Sequence, residues 1–308
     1  MRPAGHERTH EPALRLGHTL PLMNHPDGEW LDRMYNARAQ VPEHLAHFRR
    51  WSDDSVHAVL SQRCELDVPY GAGPNEQLDI FPTDRPRAPV LVFIHGGWWR
   101  SLDKREHAFV APAFTRQGVC VVIPNYALCP AVTVPDIVLQ MVRALAWTWR
   151  HIERHGGDPG RITVAGHSAG GHLAAMMLAC LWRAHDAALP ADLVRNALSI
   201  SGLLDLDPIM HTPFLQPSLK LTPQHVRDAS PARLAPPTCG QLYTVCGGDE
   251  SEEFHRQMRL IREAWGPNRV PACATLPGLN HFSVLEALAT PGHPLNALAF
   301  ELTQASTS

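Results

Sequence analysis

A serine lies among small residues at the end of an apolar run, in the stretch VAGHSAGGHL at residues 164–173. In the pattern Gly166-His167-Ser168-Ala169-Gly170, a buried strand passes through a tight turn directly into a helix. Such a turn strains the serine backbone, and side chains two positions away would clash. The amides that begin the following helix favour developing negative charge. The pattern therefore predicts Ser168 as a nucleophile, and the alternative is a tight turn packed with small residues.

A pair of glycines follows another buried strand, in VLVFIHGGWW at residues 90–99. Here the backbone N–H groups of Gly96 and Gly97 can converge on a substrate oxygen, together with that of Ala169. We therefore predict an oxyanion hole from these three residues, and a simple glycine turn is the alternative. His95 is expected to hydrogen-bond the loop as a structural ring rather than to carry a proton.

An acid and a histidine follow two later strands. Asp249 and Glu250 come after the strand in YTVCGGDESEEF, and His281 comes after the strand that precedes LNHFSVLEAL. A carboxylate in this place would fix the tautomer of the histidine and stabilise its charged form. The order serine, acid, histidine is that of α/β-hydrolases. Two adjacent acids cannot both point inward, and periodicity does not choose between Asp249 and Glu250.

The elements that must position these residues alternate between strand-length apolar runs and longer segments of helical period, which predicts an α/β fold with a mostly parallel sheet. The predicted strands are CELDVPY, QLDIFP, PVLVFIHGG, GVCVVIPNY, RITVAG, NALSISG, QLYTVCGG and VPACATLPG, of which the first two could pair antiparallel. Helices are predicted at about 103–117, 134–155, 169–186, 252–265 and 282–289. We expect a polar, disordered leader over residues 1–28, one domain over 29–308, and a proline-rich cap insertion at about 203–237.

Composition excludes several classes of partner. The 308 residues carry a formal net charge of −3 with no basic block, so the sequence predicts no positively charged surface for nucleic acid or an anionic membrane. There is no signal-peptide pattern and no apolar stretch of spanning length. Seven widely spaced cysteines are expected to be reduced thiols. The sequence thus predicts a cytoplasmic protein with a small-molecule partner. A homodimer is compatible with the sequence, although no heptad pattern or exposed strand indicates an interface.

Five ordered motifs carry a family resemblance: HGGWW, GHSAGGHLAAMML, DLDPI, ESEEFHRQ and NHFSVLEAL. In this order they resemble the kynurenine formamidase (arylformamidase) branch of the α/β-hydrolases, as do YNARAQVPEH near the N-terminus and the cap stretch. The resemblance covers roughly residues 30–290. It implies Ser168 as nucleophile, His281 as base and Glu250 as the acid, although the family more usually has aspartate there.

The resemblance also implies an activity. We expect acyl transfer through a covalent serine intermediate, on an aryl formamide such as N-formylkynurenine, with no metal or organic cofactor. Carboxylesterase activity on short acyl esters is the alternative, and pure ligand binding is a third hypothesis. Trp98 and Trp99 could form an aromatic wall for an aryl leaving group or could simply pack beneath the cap.

Overall fold

The computed structural model describes residues 27–305. The predicted leader therefore lies outside the described residues, except that Asp27 caps the first helix and Gly28 begins it. The strands are β1 (Glu65–Pro69), β2 (Gln77–Phe81), β3 (Ala88–Ile94), β4 (Cys120–Pro124), β5 (Gly157–His167), β6 (Asn196–Ile200), β7 (Gln241–Gly247) and β8 (Cys273–Leu276). They form one sheet in the order β1-β2-β4-β3-β5-β6-β7-β8.

The α-helices are α1 (Gly28–Tyr35), α2 (Ala37–Gln40), α3 (His44–Ser61), α4 (Ala111–Thr115), α5 (Val134–His151), α6 (Ala169–Ala179), α7 (Trp182–His185), α8 (Asp207–Met210), α9 (Gln216–Leu219), α10 (Pro223–Ala229), α11 (Glu252–Trp265), α12 (Ser283–Leu288) and α13 (Pro294–Gln304). None of these helices of the described chain is both long and apolar enough to cross a membrane.

Strand pairing follows the predicted pattern. The β1–β2 and β2–β4 pairs are antiparallel, and all the other pairs are parallel. Every residue of β3 is buried, because helices cover both faces of the sheet. Val90 and Val92 pack into the core that contains α5 and α6, whereas Leu91 and Phe93 pack into the core that contains α4, α12 and α13. Because successive side chains of β3 enter two different apolar layers, the sequence of β3 is continuously apolar.

Two predicted helices differ from the structure. The segment predicted over 103–117 is two short 3-10 turns followed by α4, because Pro112 lacks an N–H and occupies the first turn of a new helix. The helix predicted over 169–186 ends at Ala179, where Cys180 adopts an extended backbone before α7 begins. The other three predicted helices correspond to α5 with a terminal 3-10 turn, α11 and α12.

The stretch predicted as a cap, about 203–237, contains the short helices α8, α9 and α10 and a 3-10 turn at Pro231–Arg233. Arg233 forms a buried ion pair with Asp205, which ties the end of the stretch to its beginning. Phe214 packs edge-on against Trp98, at 6.0 Å between ring centroids. This contact places part of the stretch beside the loop that follows β3.

Candidate active site

Ser168 lies in the sharp turn between β5 and α6. Its backbone has φ 57° and ψ −117°, a strained conformation for a residue with a side chain. A Cβ atom on Gly170 would lie 2.0 Å from the Ile94 carbonyl oxygen, and one on Gly166 would lie 2.1 Å from the Gly170 carbonyl oxygen. Only glycine lets β3, β5 and α6 approach this closely, which is the crowding that the sequence pattern predicts.

The loop after β3 lies beside this turn. Gly97 and Ser168 line the same pocket, and Gly96 lies against the turn, since a Cβ there would be 2.8 Å from the His167 carbonyl oxygen. Ala169 supplies the first N–H of α6, which has no acceptor within its own helix. The predicted oxyanion residues are thus brought together at one edge of the sheet. Trp98 and Trp99 continue the loop with φ values of 55° and 52°.

His95 holds this loop in place. Its ring is fully buried, stacks on Tyr126 at 4.2 Å and pairs with the Gly96 carbonyl oxygen at 2.8 Å and Asn125 Oδ1 at 3.0 Å. Burial lowers the pKa of His95, and the neutral ring has a single N–H, which it can donate to one of these two oxygens. Tyr126 donates its hydroxyl to the His95 carbonyl oxygen at 2.9 Å. These contacts agree with the structural role expected for His95.

Glu250 and Asp249 have opposite environments. The Glu250 carboxylate is fully buried, and its Oε2 atom lies 2.6 Å from His281 Nδ1. Its Oε1 atom accepts hydrogen bonds from the Ser201 hydroxyl at 2.5 Å and the Gly247 backbone N–H at 2.7 Å. Asp249 is exposed. The geometry therefore favours Glu250 as the partner of His281.

The imidazole of His281 is held on several sides. Its ring packs against Phe254 at 4.6 Å and against His167 at 4.7 Å between centroids. His167 Nε2 lies 2.8 Å from the His281 carbonyl oxygen. Burial first, and the neighbouring His281 second, hold the pKa of His167 well below its usual value. A neutral His167 can therefore donate this hydrogen bond and fix the backbone of His281.

A narrow pocket brings the serine and the histidine together. Its wall consists of Ala37, Arg38, Phe48, Trp51, Gly97, Trp98, Leu102, His167, Ser168, His281 and Phe282. The space open to the centres of water-sized atoms is about 20 Å³, and roughly 10–15 Å³ of such space is needed to hold one water molecule. The pocket as it stands therefore accepts little more than one small group beside Ser168.

The two tryptophans have different positions. Trp98 lines the pocket and packs edge-on against Tyr35 and Phe214. Trp99 has no exposed surface and packs against the His172 ring at 5.0 Å. A substrate contact by Trp99 is therefore not supported by its position, whereas Trp98 is placed to make one.

Sequence reasoning missed the contribution of the N-terminal helices. Arg38 on α2 and Phe48 and Trp51 on α3 line the pocket, although they lie more than 100 residues before Ser168 in the chain. A signal was present for Arg38, since it belongs to the YNARAQVPEH stretch that carries part of the family resemblance. Ser201 was also missed, and no motif marks it. Residues 27–305 contain no group of three or more His, Cys, Asp or Glu side chains that could hold a metal ion.

Comparisons with known proteins agree with this fold. A family described as the α/β-hydrolase fold matches residues 91–235. Kynurenine formamidase of Salmo salar is 30% identical over 247 residues, which is 77% of this chain and 81% of that protein. Esterase LipQ of Mycobacterium tuberculosis is 44% identical over 119 residues, which is 36% of this chain and 28% of that protein.

A solved structure, assigned provisionally as a thioesterase from Silicibacter sp., superposes with a TM-score of 0.77 and 29% identity over 87% of this chain and 98% of that chain. Three observations indicate the same family: the mostly parallel sheet flanked by helices, the strained serine turn, and the formamidase match over most of the chain. The chain therefore belongs to the kynurenine formamidase branch of the α/β-hydrolase family, and it is a hydrolase.

Proposed function

We propose that this hydrolase cleaves an aryl formamide such as N-formyl-L-kynurenine, with Ser168 as nucleophile, His281 as base and Glu250 as acid. The observation that carries the proposal is the narrow pocket that Ser168 and the Glu250-bound His281 share. A formyl group has one carbon and one oxygen, which suits a space of about 20 Å³. The kynurenine formamidase relative, matched over 81% of its length, supports the same substrate class.

The proposed reaction has two steps. His281 accepts the proton of the Ser168 hydroxyl, whose oxygen attacks the formyl carbon to give a tetrahedral oxyanion. The N–H groups of Gly96, Gly97 and Ala169 stabilise that oxyanion. When the C–N bond breaks, the aryl amine leaves with the proton held by His281. Water, deprotonated by His281, then attacks the formyl-serine ester. The bond between the formyl carbon and Ser168 Oγ breaks, His281 returns the proton to Oγ, and the formic acid released ionises to formate in solution.

Glu250 acts on His281 throughout this cycle. Its buried carboxylate accepts the Nδ1–H of the imidazole, which leaves Nε2 free to accept the serine proton. The negative charge also stabilises the imidazolium that forms in each step. Both oxygens of the buried Glu250 carboxylate have hydrogen-bond donors, which hold the side chain in place beside His281.

Carboxylesterase activity is the second candidate function. The similarity to LipQ, an esterase, over 119 residues favours it, since ester hydrolysis uses the same nucleophile, base and oxyanion donors. The two candidates differ in the acyl group and in the leaving group. An ester substrate with a long acyl chain would require the side chains around the 20 Å³ space to move.

The test compares kcat/KM of the purified protein on N-formyl-L-kynurenine and on p-nitrophenyl acetate. We expect a value of about 10⁴ M⁻¹s⁻¹ or more on the formamide, above that on the ester. Ser168→Ala should abolish both activities, and Ser52→Ala, on the exposed face of α3, should change neither. Ester turnover without deformylation would assign a carboxylesterase, and hydrolysis that survives Ser168→Ala would refute the proposed nucleophile.

A further inference from the structure

Arg38 brings a positive charge to the wall of the pocket. The short helix α2 places its side chain at the cavity that Ser168 and His281 line. The guanidinium carbon lies 5.2 Å from the centroid of the Phe48 ring, and Nη2 lies 3.3 Å from the Ser101 hydroxyl. The side chain is exposed, so the guanidinium faces solvent at the pocket mouth and most of its five N–H donors remain free.

Among the residues that the structure describes, no ion pair neutralises the charge of Arg38. Within residues 27–305, no carboxylate lies within 4.0 Å of its guanidinium. Glu106 is close enough to interact with it, and Arg38 opposes the rise that burial causes in the Glu106 pKa. The Glu106 carboxylate already accepts the Asp103 backbone N–H at 3.0 Å. Arg100 adds a second positive charge nearby, and its pKa is lowered by burial and by Arg38.

The remaining wall of the pocket is uncharged apart from the reacting histidine. The other side chains are apolar or neutral, and the low pKa of His167 keeps that ring neutral too. Among the described lining residues, Arg38 therefore carries the one permanent charge. An anion entering the pocket would meet a guanidinium at the mouth and no acidic side chain on the wall.

Arg38 is also linked to the predicted oxyanion loop. Ser101, which contacts the guanidinium, donates its hydroxyl to the Gly97 carbonyl oxygen at 2.9 Å. Two consecutive hydrogen bonds thus connect the charged group to the loop that would hold the substrate carbonyl. The hydrogen bond to Ser101 therefore places the guanidinium beside the loop where the scissile bond would lie.

We infer that Arg38 binds a carboxylate on the leaving group of the substrate, so that the preferred substrates are anionic aryl amides or esters. This inference rests on the proposed function for the reaction itself. It adds that selectivity between anionic and neutral substrates comes from one side chain on α2. The bound carboxylate accepts charge-assisted hydrogen bonds from the free N–H groups of the guanidinium.

The experiment uses two formamides that differ by one carboxylate, 2-formamidobenzoate and formanilide. The wild-type protein should prefer 2-formamidobenzoate. Arg38→Gln should lower kcat/KM for this anion about tenfold to hundredfold, mainly through KM, because a hydrogen bond to a charged group is lost. The value for formanilide should stay within about twofold. Arg38→Lys should recover part of the loss, because it restores the charge but not the planar fork.

Arg49→Gln is the matched control, since Arg49 is exposed on α3 and does not line the pocket. It should leave both substrates unchanged. Equal losses on both substrates in Arg38→Gln would show that Arg38 supports the fold of the loop rather than binding the substrate. An unchanged preference, or no preference in the wild-type protein, would overturn the inference.

A second pair of substrates separates this inference from the proposed function. The esters 4-acetoxybenzoate and phenyl acetate share an acyl group and differ by one carboxylate on the leaving group. If the wild-type protein hydrolyses the esters and neither formamide, the proposed formamidase activity fails. A tenfold or larger selective loss on 4-acetoxybenzoate in Arg38→Gln would still support Arg38 as the anion-binding residue, and its absence would overturn that role.

Discussion

Replacing Glu250 by glutamine tests the proposed role of the buried carboxylate directly. All three groups that face this side chain are donors: the Ser201 hydroxyl and the Gly247 N–H at Oε1, and His281 Nδ1 at Oε2. A glutamine has one acceptor oxygen and one NH₂ group. The oxygen is expected to stay at the Oε1 position, because an NH₂ group there would face the Gly247 N–H, which can only donate and would be left unpaired. The NH₂ group would then face His281.

This substitution reverses the tautomer of the His281 imidazole. Nδ1 must now accept the amide hydrogen, so the proton of the neutral ring moves to Nε2, which can no longer accept the serine proton. An inverted tautomer of this kind lowers kcat about 10⁴-fold in serine proteases with the same arrangement, which corresponds to about 5 kcal/mol of transition-state stabilisation. We therefore expect kcat of Glu250→Gln to fall by about 10⁴ while KM changes little.

The assay is steady-state hydrolysis of the better substrate of wild-type protein, with circular dichroism to confirm that the variant folds. Asp249→Asn is the matched control, because Asp249 is the adjacent acid and is exposed. It should keep kcat within about twofold. A folded Glu250→Gln that retains more than a tenth of the wild-type kcat, or an Asp249→Asn that loses activity as steeply, would refute the reasoning.

Three further predictions concern buried polar groups. Ser201→Ala removes one of the two donors to Glu250 Oε1 and should lower kcat about tenfold with an altered pH profile; an unchanged profile would contradict it. Lys104→Met leaves the buried Asp79 without its cation at 2.6 Å and should lower the free energy of unfolding by about 3–5 kcal/mol in urea titrations, whereas a loss below about 1 kcal/mol would exclude this role. Burial lowers the pKa of His107 to about 3 and that of His172 to about 4, so the unfolded chain binds more protons below the ordinary value of about 6.5. Stability should therefore fall as the pH drops from 6.5, by up to about 1.4 kcal/mol per pH unit for each ring, and a His107→Phe variant with an equally steep slope would argue against it.

The central strands were predictable because β3, β4 and β6 are buried on both faces. All eight predicted segments contain or overlap a strand of the structure, and the first two pair antiparallel as expected. The helix α3 was not predicted, and its buried face explains why. That face includes His47 and Ser55 alongside Trp51 and Ala58, so the expected apolar stripe is interrupted by polar residues. Ser55 accepts the Phe109 N–H, a contact that sequence periodicity does not reveal.

The residues for the proposed reaction were predictable in type and order, but their detailed pairing was not. Asp249 and Glu250 are equivalent in a sequence pattern, and only the turn after β7 determines which carboxylate is buried. Ser201 follows β6 and donates its hydroxyl to Glu250. Its backbone has φ 51°, a conformation that no sequence motif predicts. Contacts between such distant parts of the chain depend on the assembled sheet, which explains why local patterns missed them.

The N-terminal helices have a consequence for how selectivity could diverge among related hydrolases. Arg38, Phe48 and Trp51 form one side of the pocket, yet they lie outside the 91–235 region that matches the α/β-hydrolase fold. This side of the pocket is thus encoded in a different segment of the chain from Ser168, Glu250 and His281, whereas Trp98 belongs to the proposed oxyanion loop. Mutations in the 28–61 segment can alter which molecules are accepted without disturbing the serine turn. New substrate preferences could therefore arise, or be engineered, by exchanging that segment on a constant sheet.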